Sequence, residues 1–582
     1  MAKTPVVYGP HPNGDQDLTF GPARYIGNFH KTLPHNEFGE VVQAAYATFA
    51  DIAANGDFKN VPEGPLTAPH QTPLSKPAAH VAKLVNPQAG RSTDTEGPDP
   101  LHMEMQPAPR VLGDSTAAEM TELYWMALWR DSPFETWTAP NASAVIADLS
   151  AAFGNGLADT ADPGRLQLGA DLPQSGGALN LTPQTLFRMG LDKEDKGPLI
   201  SQFLLQDFNY GAHFIQQSVI PYRAKRNHLL SHGDWLLAQN TGYDVFANDY
   251  SSDNSWAADH KFYDDPPAGV TFPSRVRLRN MRDLARFVNR DALHQAYFNA
   301  ALQILNWGGA VALDAGNPYT GAIREAGFGT LGGPNLLALV SEVASRAAKV
   351  VWRQKWLVHR RTRPEVYGGL MQMQKKGLVG TTRAYGLPDW VFDTEAAQAV
   401  QNANNGDFFL PMAYSAGSPA HPSYGAGHAS VAGACVTILK AWFKDTSFQG
   451  IIAAASAPGK DPGSAPQILQ PGTNNPDGSL PAYTDVGQID QMTLHGELNK
   501  LAANVAMGRT MGGVHWRSDN TRSLRLGERV ATIILRRQMP TFAERPLQMS
   551  YVNFDGDNVV IESNGKVQVP NDSDLETFYS HF

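Results

Sequence analysis

Apolar residues recur at three- and four-residue spacing through most of the chain and switch to alternation only near its C-terminus. A helical period is predicted from Thr116, with Glu119 as capping-box partner, through Met120, Leu123, Tyr124, Met126 and Ala127. Further helices are expected over residues 198–208 and 281–307, the latter with Leu284, Phe287, Val288 and Ala292 on one face, so this half reads as all-helical. Pro334 opens a long helix through Leu337, Val340, Ala344, Ala347 and Val351, as proline in a first turn permits. That helix delivers Lys355 and is expected to end near Arg363, because Pro364 disfavours the α conformation before it. A strongly apolar helix over 427–444 carries Val431, Ala434, Cys435, Ile438, Leu439 and Trp442. Another begins at Thr493, runs through Leu494, Leu498, Leu501 and Val505, and is stopped by Gly512-Gly513, which puts Arg509 in its last turn and His515 just beyond. A last helix runs from Asp519 to about Arg537. The tail then alternates around Asp555-Gly556 and Asn564-Gly565, which are hairpin signals.

The pattern gives a mainly α fold of two helical bundles with a small C-terminal β-hairpin or meander. Its expected divisions are an extended arm over 1–110, a first bundle over 111–330, a second over 331–540 and a β tail over 541–582. The arm is rich in Pro, Gly, His and Asn, loosest over 61–109, and reads as a segment wrapped over a neighbour. A Gly- and Pro-rich interruption over 455–481 reads as an exposed insertion.

Charge narrows the function classes. The 582 residues hold 47 basic and 56 acidic side chains, a net charge of −9, which argues against a nucleic-acid partner. A single cysteine, Cys435, excludes an intramolecular disulfide and a thiolate zinc site. No stretch has the apolar core of a signal peptide or the roughly 20 apolar residues of a membrane span, so a cytoplasmic protein with no membrane partner is expected. Any cationic site must be built locally.

Three segments point to such a site. Gly425-Ala426-Gly427-His428 opens the apolar helix, and a helix N-terminus offers unpaired N–H groups and partial positive charge to an oxyanion. Lys355 and Arg363, eight residues apart, and Arg509 and His515, six residues apart, supply two basic segments. Guanidinium groups can donate paired hydrogen bonds to two oxygens of one anion, so a trianion such as vanadate or phosphate is matched. His359, Arg360 and Arg361 read as a solvated helix face. Trp352, one turn before Lys355, reads as a core tryptophan or as a large aromatic beside the anion.

Together these segments resemble the three-part signature of the vanadium-dependent haloperoxidases and their relatives, the phosphatidic-acid-phosphatase-type acid phosphatases. The segments Leu33-Pro34-His35-Asn36-Glu37, Glu122-Leu123-Tyr124-Trp125, Asp291-Ala292-Leu293-His294-Gln295-Ala296-Tyr297 and Trp356-Leu357-Val358-His359-Arg360-Arg361 look like the red-algal and cyanobacterial bromoperoxidase branch. The resemblance implies the haloperoxidase type of paired bundles and a vanadate (V5+) cofactor without haem. His515 is then the metal ligand, Lys355, Arg363, Arg509 and Gly427 contact the cofactor oxygens, and Lys355, His428 and His515 are catalytic, with His428 as acid/base. His421, seven residues before His428, matches a histidine that this branch places near the cofactor. The implied reaction oxidises a halide, bromide by preference, with hydrogen peroxide to a hypohalous acid equivalent that halogenates small organic nucleophiles. A homo-oligomer, dimer or dimer-based, is also implied. Ala426 departs from the pattern, since the family has a serine there whose hydroxyl donates to a vanadate oxygen. Two alternatives therefore stand beside the first: an acid phosphatase with a phosphohistidine at His515, and a degenerate anion-binding homologue.

Overall fold

The computed structural model describes residues 24–67, 73–76, 78–158, 168–251, 262–263, 274–378, 380–455 and 467–582. In chain order the helices are α1 (Gln43–Asn55), α2 (Asp114–Leu128), α3 (Ala139–Leu157), α4 (His232–Thr241), α5 (Met281–Arg290), α6 (Gln295–Trp307), α7 (Gly333–Arg353), α8 (Pro364–Lys375), α9 (Glu395–Ala403), α10 (Gly427–Trp442), α11 (Phe448–Ala455), α12 (Val486–Ile489), α13 (Leu494–Met511), α14 (Arg517–Gln538) and α15 (Ser573–Ser580). The fold is mainly helical, with two helical-bundle regions and a small C-terminal antiparallel sheet.

Helix α10 is the axis of the second region. It is buried on every face apart from His428 and packs against α7, α13 and α14. Its closest neighbour is α14, and Gly527 shows why: a Cβ there would lie 1.9 Å from the Ser430 carbonyl oxygen. No larger residue fits that crossing without parting the helices. Helix α13 follows the expected pattern closely. The Thr493 hydroxyl caps it by accepting from the Gly496 amide, and Gly512 and Gly513 follow its last turn. Its partner across the chain is α5, so the bundle regions share one continuous apolar core.

The ends of the chain frame this core. Strands β5 (Gln548–Val552), β6 (Asn558–Glu562) and β7 (Val567–Gln568) form the antiparallel meander that the alternation predicts, with Tyr551 opposite Val559. Helix α15 follows it and was not foreseen. At the other end, α1 packs Tyr46 and Phe49 near Trp356. The described part of the arm lies over its own chain: Phe29 N–H donates to the Arg360 carbonyl, and Gln354 donates to the Met103 carbonyl. Residues 1–23 of the arm and 456–466 of the expected insertion lie outside the described residues.

The first half departs from the all-helical reading. Short hairpins pair β1 (Gln174–Ser175) with β2 (Ala178–Leu179) and β3 (Phe208–Tyr210) with β4 (His213–Ile215). Over 198–208 only one tight turn, Gln202–Leu204, is helical, because the preceding donors are claimed by α13. The Ser201 amide donates to Asn504, and the Gln202 amide to Glu497. The Thr116–Glu119 capping box does not form, since α2 already starts at Asp114. Thr116 donates to the Arg110 carbonyl, while Glu119 faces Arg361. The expected helix over 281–307 breaks at Asp291, which is extended, with φ −61° and ψ 142°.

Candidate active site

Helix α7 does not stop at Arg353 but widens into a π-helical turn, Gln354–His359, that carries Lys355 inward. Its ammonium donates to the carbonyls of Pro422 and Ser423 at 2.8 and 3.1 Å and lies 5.6 Å from the Trp352 ring centre. Arg363 does not end that helix. It is the extended residue before Pro364, caps α8 with φ −88° and ψ 154°, and so points away from the α8 axis into the same space. Its guanidinium donates to the carbonyls of His421 and Val514 at 2.9 and 2.6 Å. Arg509, in the last turn of α13, donates to the Val288 carbonyl and the Tyr250 hydroxyl, and stacks over Tyr250 and Tyr414.

His515 sits among these cations. Arg363 can only donate, so its 3.0 Å contact makes His515 Nε2 an acceptor with its lone pair facing the cationic pocket. The Nδ1 proton must then go to Asp519, whose Oδ2 lies 3.0 Å away. Burial first, and then Arg363, Lys355 and Arg509, push the His515 pKa well below the ordinary range and keep the ring neutral. Asp519 is itself held by the Trp516 amide at 3.0 Å and by Arg361 at 2.9 Å. Arg361 also pairs with Glu119 and stacks on Trp516.

The oxyanion segment closes the other side. Ala426 is the N-cap of α10, and its amide donates to the Ser523 hydroxyl at 2.7 Å. The amides of Gly427 and His428 are among those a helix leaves without an intrahelical acceptor. A Cβ at Gly427 would lie 2.9 Å from the Trp352 ring, so glycine lets the indole sit against this helix start. His428, in the first turn, keeps part of its ring exposed and contacts Asp291 Oδ1 through Nε2 at 2.9 Å. His421 stacks over Trp352 with ring centres 5.3 Å apart and meets Arg363 through Nδ1 at 2.9 Å. Burial, then Lys355 and Arg363, lower its pKa well below the ordinary range.

The electrostatics have one consistent sign. Lys355, Arg363 and Arg509 are buried with at most 2% exposure, and Asp519 is already shared between His515 and Arg361. Burial, with Arg363 next to it, pulls the Lys355 pKa well down, and burial with Arg509 pulls Arg363 to about 9. Arg509 Nε is buried with no hydrogen-bond partner among the described residues. Such a cluster is costly to bury unless an anion compensates it. Among the described residues there is no group of three or more His, Cys, Asp or Glu of the kind that grips a bare cation. The donor set instead suits an oxyanion with one nitrogen ligand.

All nine residues singled out from the sequence, Trp352, Lys355, Arg363, His421, Ala426, Gly427, His428, Arg509 and His515, fall in or beside this pocket. Trp352 packs against the edge of the core while staying partly exposed, and donates to the Val85 carbonyl. His359, Arg360 and Arg361 are not a solvated face either, being 0%, 7% and 2% exposed. The widened turn and the left-handed Arg360, at φ +49°, rotate them inward. Asp519 and Asp291 were missed. A carboxylate four residues after His515 was the available signal for the first, and the second opens the segment Asp291–Tyr297 that carried the family resemblance but was given no role.

Comparison with known proteins gives a matching picture. Residues 335–544 match the family model described as the VCPO second helical-bundle domain. The chain is 32% identical over 584 residues to the vanadium-dependent bromoperoxidase of Corallina pilulifera, covering 94% of this chain and 93% of that one. It is 31% identical over 544 residues to that of Ascophyllum nodosum, covering 91% and 85%. Among solved structures it resembles the homohexameric second vanadate-dependent bromoperoxidase of Ascophyllum nodosum, with a TM-score of 0.72 and 26% identity over 96% of this chain and 87% of that one.

Proposed function

This chain belongs to the vanadium-dependent bromoperoxidase family, and we propose that its buried cationic pocket holds vanadate and that, with hydrogen peroxide, it oxidises bromide to a hypohalous acid equivalent that halogenates small organic nucleophiles. The observation that carries this reading is the neutral His515, with its Nε2 lone pair set among three buried cations. The residues fit the cofactor on three counts: the three buried cations gathered at one place, the Arg509 Nε that has no hydrogen-bond partner among the described residues, and the helix N-terminus beside Gly427.

In this reading His515 Nε2 is the metal ligand, and Lys355, Arg363, Arg509 and the Gly427 amide hold the cofactor oxygens. When bound, vanadate supplies a Lewis-acid centre that polarises peroxide while staying in one oxidation state. His428 is the acid/base. Because its Nε2 is directed to Asp291, Nδ1 is left to accept the proton of an incoming peroxide and to return it to the leaving oxygen. Asp291 fixes the ring and offsets the charge that His428 gains. Neutral His421, stacked on Trp352, forms the halide environment.

The pocket lies in the second bundle, 331–540, with Asp291 reaching it from the first. Assembly as a homo-oligomer belongs to the same reading, and among the described residues no helix is long and apolar enough to cross a membrane. The test is bromination of a phenol by peroxide and bromide after vanadate has been removed by chelation and dialysis. Activity should return with added vanadate and be suppressed by competing phosphate. Activity that ignores vanadate, or phosphate-ester hydrolysis in place of bromination, would overturn the proposal.

A further inference from the structure

A second cluster of cations adjoins Asp291. A cleft of about 210 Å³ is lined by α5 and by residues 215–220, with Ile215, Val219 and Phe287 among its apolar walls and Arg275, Arg286 and Arg290 beside them. Arg286 and Arg290, one helical turn apart, share a face of α5. Arg275 is brought alongside by the bridge between Val219 and Val276, which exchange N–H···O bonds at 2.8 and 2.9 Å. Arg286 is held in place: its guanidinium lies over the rings of Tyr222 and Tyr263 at 5.3 and 5.4 Å, and Nε donates to the Ile220 carbonyl at 3.2 Å. Its Nη1 is buried with no hydrogen-bond partner among the described residues. Arg275 and Arg290 are exposed, and among the described residues no carboxylate forms an ion pair with any of the three. Like charges four residues apart on a helix repel, so Arg286 and Arg290 stand together at a cost that an anion between them would remove.

Asp291 joins this cleft to the vanadate pocket. It lines the cleft, and its Oδ1 meets His428 Nε2 at 2.9 Å. The one carboxylate of the cleft is thus engaged by His428, while its three guanidinium groups have no counter-charge. Apolar walls with arginines beside them suit an aromatic ring that carries an acidic group. A cavity of about 150 Å³ takes benzene, so about 210 Å³ leaves room for ring substituents. A guanidinium also orients a carboxylate through paired hydrogen bonds. We propose that this cleft is the subsite for the organic nucleophile and that it selects single-ring phenols bearing a carboxylate, held by Arg286 together with Arg275 and Arg290. This deepens the haloperoxidase reading above and rests on it. A phenol held there takes bromine from the hypobromous acid equivalent made beside it: the carbon–bromine bond forms as the oxygen–bromine bond breaks, and the ring proton leaves with the oxygen as water.

The experiment compares 4-hydroxybenzoate with 4-hydroxybenzyl alcohol, which has the same ring and no charge. Equilibrium dialysis against vanadate-free protein should show saturable binding of the acid to wild type, weakened about tenfold or more in Arg286→Gln and in the double variant Arg275→Gln/Arg290→Gln. With vanadate added, the acid-to-alcohol ratio of bromination rates in a mixture should exceed the ratio that free hypobromous acid gives. In the variants it should fall to that ratio, while bromide-dependent consumption of peroxide stays at the wild-type level. No saturable binding of the acid, binding unchanged in both variants, or a wild-type ratio equal to that of free hypobromous acid would each overturn the subsite. Saturable binding with no bromination would instead sink the haloperoxidase reading, and the substrate role with it. Should Arg286→Gln fail to fold, the exposed pair decides, since unweakened binding in Arg275→Gln/Arg290→Gln contradicts the proposal and weakened binding upholds it.

Discussion

His515 donates its Nδ1–H to Asp519 across 3.0 Å and keeps its Nε2 lone pair turned toward the cations of the pocket. The arrangement sets tautomer, ring orientation and basicity in one contact, since a carboxylate behind a ligating histidine makes the far nitrogen a better donor. Asp519 is held in turn by Arg361 and the Trp516 amide, so the nitrogen proposed as ligand is aimed by the start of α14.

Asp519→Asn keeps the shape but lets the side-chain amide face His515 with the wrong group. Vanadate affinity is expected to fall by about 10–100-fold, the usual cost of losing the partner behind a metal ligand. Vanadate titration of the folded variant checks it, and unchanged affinity would separate Asp519 from the ligand's tuning.

The pairing of His428 with Asp291 predicts a different failure. His428→Ala should retain vanadate while losing about 10²–10⁴-fold in turnover, the range typical of a general acid or base. Asp291→Asn should lie between this variant and wild type. Vanadate binding measured beside bromide oxidation separates the two effects, and loss of binding in His428→Ala would make it a cofactor holder instead.

Why these two carboxylates escaped the sequence reading is instructive. Periodicity located α7, α10, α13 and α14, because each buries an apolar set at helical spacing, and the glycines and prolines at their ends placed Lys355, Gly427, Arg509 and His515. It could not assign a role to Asp291, because that residue meets His428 from across the chain, at the point where the expected helix over 281–307 breaks. Arg361 was misread for a related reason. Nothing local announces a π-helical turn, and without it the three basic residues after Val358 fall on an outer face. Charges buried by pairs distant in sequence, such as Arg361 with Glu119 or Lys31 with Glu365, leave no local signal at all.

A stability prediction concerns the far end of α10. Lys440 Nζ and Glu528 Oε1 lie 3.7 Å apart, buried under Phe554, and burial raises the Glu528 pKa to about 7. A carboxyl raised in the folded state favours folding fully below its unfolded value and loses that contribution as pH rises through the folded one. Stability from this group should therefore decline between roughly pH 4.5 and 7, by at most on the order of 3 kcal/mol. Thermal unfolding of wild type and Glu528→Gln across that window should show a flatter profile for the variant. Parallel profiles would mean that Glu528 is ionised throughout.

Ala426 bears most directly on how firmly the cofactor is held. Its side chain is fully buried at the N-cap of α10, next to Gly427. Its own amide is directed to the Ser523 hydroxyl and is not available to an oxygen of the bound anion. A hydroxyl at position 426 would add a hydrogen bond to a charged acceptor, worth about 1.5–3 kcal/mol, or roughly 10–150-fold in affinity, where no water already fills that role. Ala426→Ser is therefore expected to tighten vanadate at least about tenfold, with the α10 crossing undisturbed because serine adds a single atom. Equilibrium titration with orthovanadate measures it. Equal or weaker affinity would show that the oxygen facing position 426 already has a donor, and the pocket would then owe its affinity to Lys355, Arg363 and Arg509 without help from the cap.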